Sequence, residues 1–161
     1  MRIGVISDTH GNTNVIDQAV EMAGAVDVWL HAGDFIADAD YLRTVYEAEV
    51  VNVAGNCDGF AQEASEEIVY EAEGCRIFLT HGHLYDVKRN PHRLVIAARE
   101  KNASIAVFGH SHVALINKIN DVLLINPGSL AYPRDGKGRS FVVLELDLGR
   151  EPEIYHYHLQ T

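Results

Sequence analysis

The sequence has little cysteine. Its two cysteines, Cys57 and Cys75, are too few for the disulfide framework of a small secreted domain. They lie in different settings, a loop and the start of a predicted strand, and therefore do not form a Cys-x-x-Cys redox pair. We expect both to be reduced thiols.

Positive charge is also scarce. Thirteen Lys and Arg residues stand against 23 Asp and Glu residues, which gives a formal net charge of -10. This balance disfavours a polynucleotide partner, which is bound through a basic patch, but it permits a small phosphate-bearing substrate. Bound divalent cations would reverse the electrostatic field locally, so some of the acidic residues can serve to hold cations.

Long hydrophobic runs are missing as well. No segment approaches the roughly 18 consecutive apolar residues of a membrane span. The first apolar run is too short for a signal peptide and ends in polar residues at Ser7, so we expect a cytoplasmic protein without membrane contact. A length of 161 residues with 47% apolar residues predicts one domain over residues 1–161.

The apolar pattern alternates strands with helices in the first half and is mostly strand thereafter. Crossovers of this kind favour parallel pairing, and two facing sheets with helices outside would bury such apolar strands. We therefore predict an α/β sandwich, with a hairpin turn at Asn120-Asp121. The predicted strands are 2–7, 27–32, 50–54, 68–72, 76–80, 105–108, 114–119, 122–125, 140–147 and 153–159, and the predicted helices are 14–23, 39–48 and 91–101.

Polar residues follow five of the apolar runs, at the strand ends where open α/β sheets usually bind ligands. Carboxylate and amide oxygens together with neutral imidazoles suit manganese, iron, zinc or nickel and suit calcium poorly. Glycines at 33, 55, 82 and 109 would let the backbone turn sharply or approach a ligand closely. The five segments are Asp8-Thr9-His10, Gly33-Asp34, Gly55-Asn56-Cys57-Asp58, Thr80-His81-Gly82-His83 and Gly109-His110-Ser111-His112.

These segments, followed by Asn126-Pro127-Gly128-Ser129, resemble the ordered motifs of the calcineurin-like metallophosphoesterases over nearly the whole chain, and most closely those of the small YfcE-type phosphodiesterase branch. The resemblance implies a four-layer α/β/β/α sandwich with two facing mixed sheets. It also implies two divalent ions. Asp8, His10 and His112 would hold one ion, Asn56, His81 and His110 would hold the other, and Asp34 would bridge them.

Within this set, Asp34, Asn56 and His110 are the expected catalytic residues. The hypothesis is hydrolysis of a small phosphodiester, or of an activated phosphomonoester, by a hydroxide that bridges the two ions. Manganese is the first choice of metal, with nickel, iron or zinc as alternatives. The resemblance further suggests a homo-oligomer, either a dimer or a tetramer.

Cys57 departs from the pattern of many family members, which carry His at this position to assist the leaving group. The YfcE-type branch has Cys there as well. A thiol with an ordinary pKa near 8.5 is mostly protonated and uncharged at neutral pH, so leaving-group assistance should be weaker than with imidazole.

Two other functions are alternatives to this hypothesis. A retromer subunit of the same superfamily works as a protein-interaction scaffold and has lost part of the ligand set, whereas all the ligands are present here. A metal-dependent nuclease is disfavoured because a chain of net charge -10 offers no evident basic track.

Several further polar residues lie outside the predicted ligand set. Among the loop cations Lys88, Arg89 and Arg134, we select Arg134 as the substrate-binding residue, since its loop follows the Asn126–Ser129 turn. The sequence leaves Asp58 open between an outer partner of a ligand and an Asx turn. We expect His31 to pack near the site, and His83 to lie outside the ligand set. Asp38 should lie at a helix start or on a helix surface. His156 and His158 should occupy an exposed strand edge rather than a minor metal site.

Overall fold

The computed structural model describes residues 1–59 and 64–160, which form two sheets and three α-helices. The helices are α1 (Thr13–Ala23), α2 (Ile36–Val45) and α3 (His92–Glu100). The strands are β1 (Arg2–Ile6), β2 (Val28–His31), β3 (Val50–Asn52), β4 (Glu67–Ala72), β5 (Cys75–Thr80), β6 (Ile105–Val107), β7 (Leu115–Ile119), β8 (Val122–Asn126), β9 (Ser140–Glu145) and β10 (Glu153–His158).

Each sheet has five strands and mixes parallel with antiparallel pairs. The first sheet has the order β10-β9-β1-β2-β3, with β1, β2 and β3 parallel to one another. The second sheet has the order β4-β5-β6-β8-β7, with β5, β6 and β8 parallel. The parallel strands are central in the second sheet and extend to the edge strand β3 in the first, and polar loops follow their carboxyl ends.

Successive side chains of each strand point to opposite faces of its sheet, and the buried ones form three apolar layers. Ile3 and Val5 of β1 point between the sheets and pack with residues such as Leu79 of β5, whereas Ile6 faces the other side. That second layer joins the first sheet to α1 and α2, and Phe141 is buried within it. A third layer, which includes Phe78, joins the second sheet to α3. The predicted four-layer α/β/β/α sandwich is confirmed.

Most of the predicted elements are also confirmed, with ends that differ by one or two residues. The hairpin turn at Asn120 and Asp121 has positive φ at both residues, as a tight hairpin requires. Helix α2 is the exception, since it covers Ile36–Val45 rather than 39–48. Its first N–H groups are bound by Asp58, 22 and 23 residues away along the chain, and local periodicity carries no such signal. A 3₁₀ turn at His83–Tyr85 was not predicted.

Two smaller expectations concern the thiols and the membrane. Cys57 and Cys75 are both free, the first exposed and the second half-buried. Among the described residues, no helix combines the length and the hydrophobicity that crossing a bilayer would need.

The second apolar layer should contribute strongly to stability. Phe141 is fully buried and stacks on Tyr157 with ring centroids 5.0 Å apart. Phe141→Ala should lower the free energy of unfolding by roughly 3–5 kcal/mol, because it removes buried apolar surface and leaves a cavity. Urea denaturation measures this loss. Ile96→Ala, at a position on α3 that is 58% exposed, is the control and should change stability by less than about 0.5 kcal/mol.

Candidate metal centre

Five of the seven predicted ligands have backbone φ angles in the left-handed region. Side chains other than glycine rarely adopt this conformation, and it concentrates at functional sites, where the surrounding structure holds it in place. Here it turns the chain immediately after each strand, so that the side chains converge on one point. The residues are Asp8 (φ 53°), His10 (47°), Asp34 (58°), His110 (67°) and His112 (58°).

Four of these side chains form a compact cluster. Asp8, His10, Asp34 and His112 each offer one ligand atom, and the four atoms lie within 4.8 Å of one another. His81 approaches the same carboxylates, with its Nε2 3.4 Å from Asp34 Oδ2 and 3.7 Å from Asp8 Oδ1. Asp34 Oδ2 is also 3.7 Å from His10 Nε2. The Asp34 carboxylate is therefore close to imidazoles that come from both sheets.

The remaining two predicted ligands lie beside the cluster. The His110 ring is 5.1 Å from the His81 ring, and the His110 N–H donates to Asp8 Oδ2 at 3.0 Å. Asn56 is exposed, and its amide contacts Cys57 Sγ at 3.7 Å. The Cys57 N–H donates to Asp34 Oδ1 at 3.0 Å, so the loop is anchored next to Asp34 although the Asn56 side chain points to Cys57.

Backbone carbonyls orient two of the imidazoles. His81 Nδ1 is 2.6 Å from Ala32 O, and His112 Nδ1 is 2.7 Å from Tyr132 O. A carbonyl can only accept a hydrogen bond, so Nδ1 carries the proton in both rings and Nε2 faces the carboxylates. This is the arrangement of metal-binding histidines, whose other ring nitrogen donates to a neighbouring acceptor.

The charges in the cluster fit cations. Asp8 and Asp34 are almost fully buried, and within the described ranges their only ion-pair partners are histidines. Burial opposes ionisation, but His112 and His81 hold the pKa of Asp8 below its usual value. Asp8 in turn raises the pKa of His112, and although burial acts in the other direction, Asp34 and Asp8 raise the pKa of His81. The two carboxylates thus require positive charge beside them.

Buried polar atoms without hydrogen-bond partners also indicate a cation site. Asp8 Oδ1, His10 Nε2 and His81 Nε2 are buried without a hydrogen-bond partner in the described structure. A buried polar atom without a partner costs about 1–3 kcal/mol. Since these atoms face one another in one cluster, divalent ions of the kind that oxygen and imidazole ligands bind would satisfy them together.

The expected supporting turn is present beneath the cluster. Ser129 Oγ donates to the Asp8 carbonyl at 2.8 Å, and Asn126 Nδ2 donates to the Gly109 carbonyl at 3.1 Å. A Cβ at Gly109 would collide with Ser7 and Asp8, so this position requires glycine. The turn from Asn126 to Ser129 therefore fixes two of the predicted ligand loops to each other.

The hydrogen bonds of Asp58 decide between the two roles that the sequence left open, an outer partner of a ligand and a turn residue. Its Oδ1 accepts the N–H groups of Phe35 and Ile36 at 2.8 and 2.9 Å, and its Oδ2 accepts the Gly55 N–H at 2.7 Å. This buried carboxylate joins the loop of Asp34 to the loop of Asn56. All three bonds go to backbone N–H groups rather than to a ligand side chain, so Asp58 is a turn residue that also positions the loops of two predicted ligands.

Asp38 lies in the first turn of α2, as the helix-start interpretation predicts, but it is buried rather than exposed on the helix surface. Its side chain is buried and accepts the Gly11 N–H at 2.8 Å, so it ties α2 to the loop that follows β1. The signal that could have found Asp38 is its distance of only four residues from Asp34.

The other histidines lie outside the cluster. His31 is buried, and its Nε2 is 2.9 Å from Thr9 Oγ1, as expected of a residue packed near the site. His83 is half-buried, 3.7 Å from Glu66 Oε1, with its ring 5.5 Å from that of His81. His156 and His158 lie side by side on the edge strand β10, with ring centroids 4.5 Å apart.

Two loop cations affect histidines of the predicted site. The Arg134 N–H donates to the His112 carbonyl at 2.9 Å, and the charge of its exposed side chain slightly opposes the rise in the pKa of His112 that Asp8 causes. Burial and then the charges of His81 and Lys88 lower the pKa of His110 to about 4. Lys88 was named only among the loop cations, because its proximity to His110 depends on how the loop after β5 folds back.

Removing one acceptor of Asp58 should loosen the site. In Asp58→Asn the amide nitrogen cannot accept the Gly55 N–H, whereas Oδ1 can still accept its two bonds. Manganese affinity, measured by calorimetric titration, should fall about 10- to 100-fold, as is typical when an outer partner of a metal ligand is lost. Asp86→Asn, which changes an exposed residue that pairs with Arg89, is the matched control. Unchanged manganese affinity in Asp58→Asn would show that Asp58 does not position the site.

Comparison with known proteins agrees with this geometry. Residues 1–149 match the family model of the calcineurin-like phosphoesterase superfamily domain. "Probable metallophosphoesterase YsnB" of Bacillus subtilis is 34% identical over 148 residues, which cover 91% of this chain and 85% of that protein. The phosphodiesterase YfcE of Escherichia coli is 26% identical, with coverage of 92% and 89%.

A solved structure is similar over nearly the full length. The crystal structure of a Vps29 double mutant from Entamoeba histolytica superposes with a TM-score of 0.83 and 28% identity, covering 99% of this chain and 93% of that one. Fold, clustered ligand residues and sequence matches thus agree: the chain belongs to the calcineurin-like phosphoesterase superfamily, in its YfcE-type branch, and is a metal-dependent phosphoesterase.

Proposed function

We propose that the chain hydrolyses small phosphodiesters with two divalent ions held by the seven predicted ligands. The observation that carries the proposal is the convergence of Asp8 Oδ1, His10 Nε2 and His81 Nε2, three buried atoms without hydrogen-bond partners in the described structure, around a carboxylate close to both groups of imidazoles. The name of the phosphodiesterase YfcE supports the substrate class.

Asp34 lies between the proposed ligands of the first ion and those of the second. Its Oδ2 is within 3.7 Å of His10 and 3.4 Å of His81, which supports its role as the shared ligand. Asp8, His10 and His112 would complete the first ion site, and Asn56, His81 and His110 the second. The second site requires the Asn56 side chain to turn its amide oxygen away from Cys57 Sγ.

Two ions held in this way would lower the pKa of bound water toward about 7 and neutralise charge on the phosphoryl group. The chain supplies the positioning. Ala32 and Tyr132 orient the rings of His81 and His112 through their carbonyl oxygens, and the low pKa of His110, about 4, keeps its imidazole neutral and able to bind. Arg134 and Lys88 would attract the anionic substrate.

The ligand chemistry also bears on the choice of metal. Imidazole nitrogens with carboxylate and amide oxygens suit borderline first-row ions, among which we propose manganese, with nickel, iron and zinc as alternatives. Net charge further limits the substrate, because a chain at -10 does not attract a long polyanion. A small diester is therefore preferred to a polynucleotide.

Asp34→Ala tests the shared ligand. The variant should lose manganese from the second site and lower the metal-dependent hydrolysis of bis-p-nitrophenyl phosphate by about a thousandfold or more, since two-metal hydrolysis requires both ions. Bound manganese is counted by elemental analysis after dialysis. Asp40→Ala removes an exposed carboxylate that pairs with Arg43 and should leave both quantities unchanged. Wild-type turnover and full metal content in Asp34→Ala would contradict the shared-ligand role.

An assay of the wild-type protein distinguishes the scaffold function from the phosphodiesterase function. The structural similarity to Vps29 gives reason to test the scaffold function. Chelation should abolish hydrolysis and manganese should restore it. If manganese binds but no hydrolysis returns, the site serves binding rather than catalysis, and the scaffold function replaces the proposed one.

Cys57 should contribute little to the chemistry of a good leaving group. Partial burial and the nearby Asp34 carboxylate raise the pKa of the Cys57 thiol to about 11, which favours the neutral thiol. Cys57→Ala should change kcat for bis-p-nitrophenyl phosphate by less than about threefold, because p-nitrophenolate departs without protonation. Steady-state kinetics between pH 6 and 9 measures this. A loss approaching a hundredfold would mean that the thiol takes part in the reaction.

A further inference from the structure

Two exposed aromatic side chains flank the metal centre. Phe35 is 39% exposed and Tyr132 is 63% exposed, although large aromatic residues are usually buried for most of their area. Their rings lie 5.4 and 5.5 Å from the ring of His10, one of the proposed ligands. Exposed apolar surface beside a reactive centre is typical of a ligand-binding position.

The backbone holds Phe35 in an unusual conformation. Its φ is 76°, a genuine outlier for a bulky side chain, and its N–H is fixed by Asp58 Oδ1 at 2.8 Å. The strain does not bury the ring. Phe35 instead remains accessible beside Asp34 and lines a cavity of about 260 Å³ together with Cys57 and Asp58. Strain retained at such a position suggests a functional placement of the side chain.

Tyr132 is anchored to the same centre through its backbone. Its N–H donates to Ser129 Oγ at 2.8 Å, and its carbonyl accepts from His112 Nδ1 at 2.7 Å. The side chain is left free to project over His10. Both aromatic residues therefore have fixed backbones and accessible rings, which lowers the entropy cost of binding a flat group against them.

We infer that Phe35 and Tyr132, the aromatic pair, bind a planar aromatic group on one ester of the phosphodiester and thereby select aryl or nucleoside esters over alkyl esters. The inference rests on the proposed phosphodiesterase function. Aromatic rings stack on any flat π system, and such stacking tolerates many ring structures. The pair therefore recognises the shared chemistry of aryl groups and nucleobases, while the metal centre holds the phosphate.

Binding of stable phosphonates tests the aromatic pair without turnover. Calorimetry on the manganese-loaded wild-type protein should give an affinity for phenylphosphonate about tenfold higher than for methylphosphonate. Phe35→Ala and Tyr132→Ala should each lower this preference about threefold, with little change in the affinity for methylphosphonate. Inhibition constants for adenosine 5′-monophosphate and ribose 5-phosphate, from initial rates with bis-p-nitrophenyl phosphate, extend the test to nucleobases.

Control variants separate recognition from folding. Tyr132→Phe keeps the ring and should keep the preference, and Tyr155→Ala removes a partly exposed aromatic on the outer strand β10 and should also keep it. Thermal melting checks that each variant is folded. Loss of the phenyl preference together with the adenosine preference supports a general site for flat rings, whereas loss of only one identifies which class the pair selects.

Two outcomes would overturn the inference in distinguishable ways. If the wild-type protein binds methylphosphonate and hydrolyses the diester but shows no preference for phenylphosphonate, or if the preference survives in both alanine variants, the aromatic pair is refuted and the phosphodiesterase function stands. If the manganese-loaded wild-type protein neither hydrolyses the diester nor binds either phosphonate, the proposed function fails, and the inference fails with it.

Discussion

The structure depends on two buried carboxylates, Asp8 and Asp34, that end neighbouring parallel strands. Burying two negative charges side by side is unfavourable unless positive charge compensates them. Within the described residues no Lys or Arg pairs with either one, and the compensating groups are imidazoles, including His81 from the other sheet. The requirement for cations at this point explains why both sheets direct polar loops to one place. It also accounts for the cost of left-handed backbone at five predicted ligands.

Much of the fold could be predicted because buried strands and helices have apolar residues at characteristic short-range spacings. Strands such as β1 and β5 are continuous apolar runs, and α1 repeats apolar residues at helical spacing. The start of α2 could not be placed, because Asp58 binds its first N–H groups from more than twenty residues away. Local pattern therefore located the elements, whereas long-range hydrogen bonds determined where one of them began.

The site was predictable to the same extent and for a related reason. Its motifs follow strand ends, so the ligand candidates could be read from the sequence. Five of the seven lie within a few ångströms of one another, namely Asp8, His10, Asp34, His81 and His112. The residues around them were harder to predict. The burial of Asp38 and the effect of Lys88 on His110 depend on how separate loops fold against one another. No local pattern encodes these contacts.

The turn after β2 carries both a proposed metal ligand, Asp34, and one member of the aromatic pair, Phe35. Asp34 and Phe35 are consecutive, both have positive φ, and Asp58 fixes the second while the Cys57 N–H binds the first. The geometry that places the carboxylate among the imidazoles therefore also leaves the phenyl ring exposed beside His10. Replacing Phe35 alters an accessible surface without removing a proposed ligand, so ester selectivity can change while the metal centre is retained. In the proposed mechanism the metal centre fixes the reaction class, and the adjoining side chains are free to determine which ester is accepted.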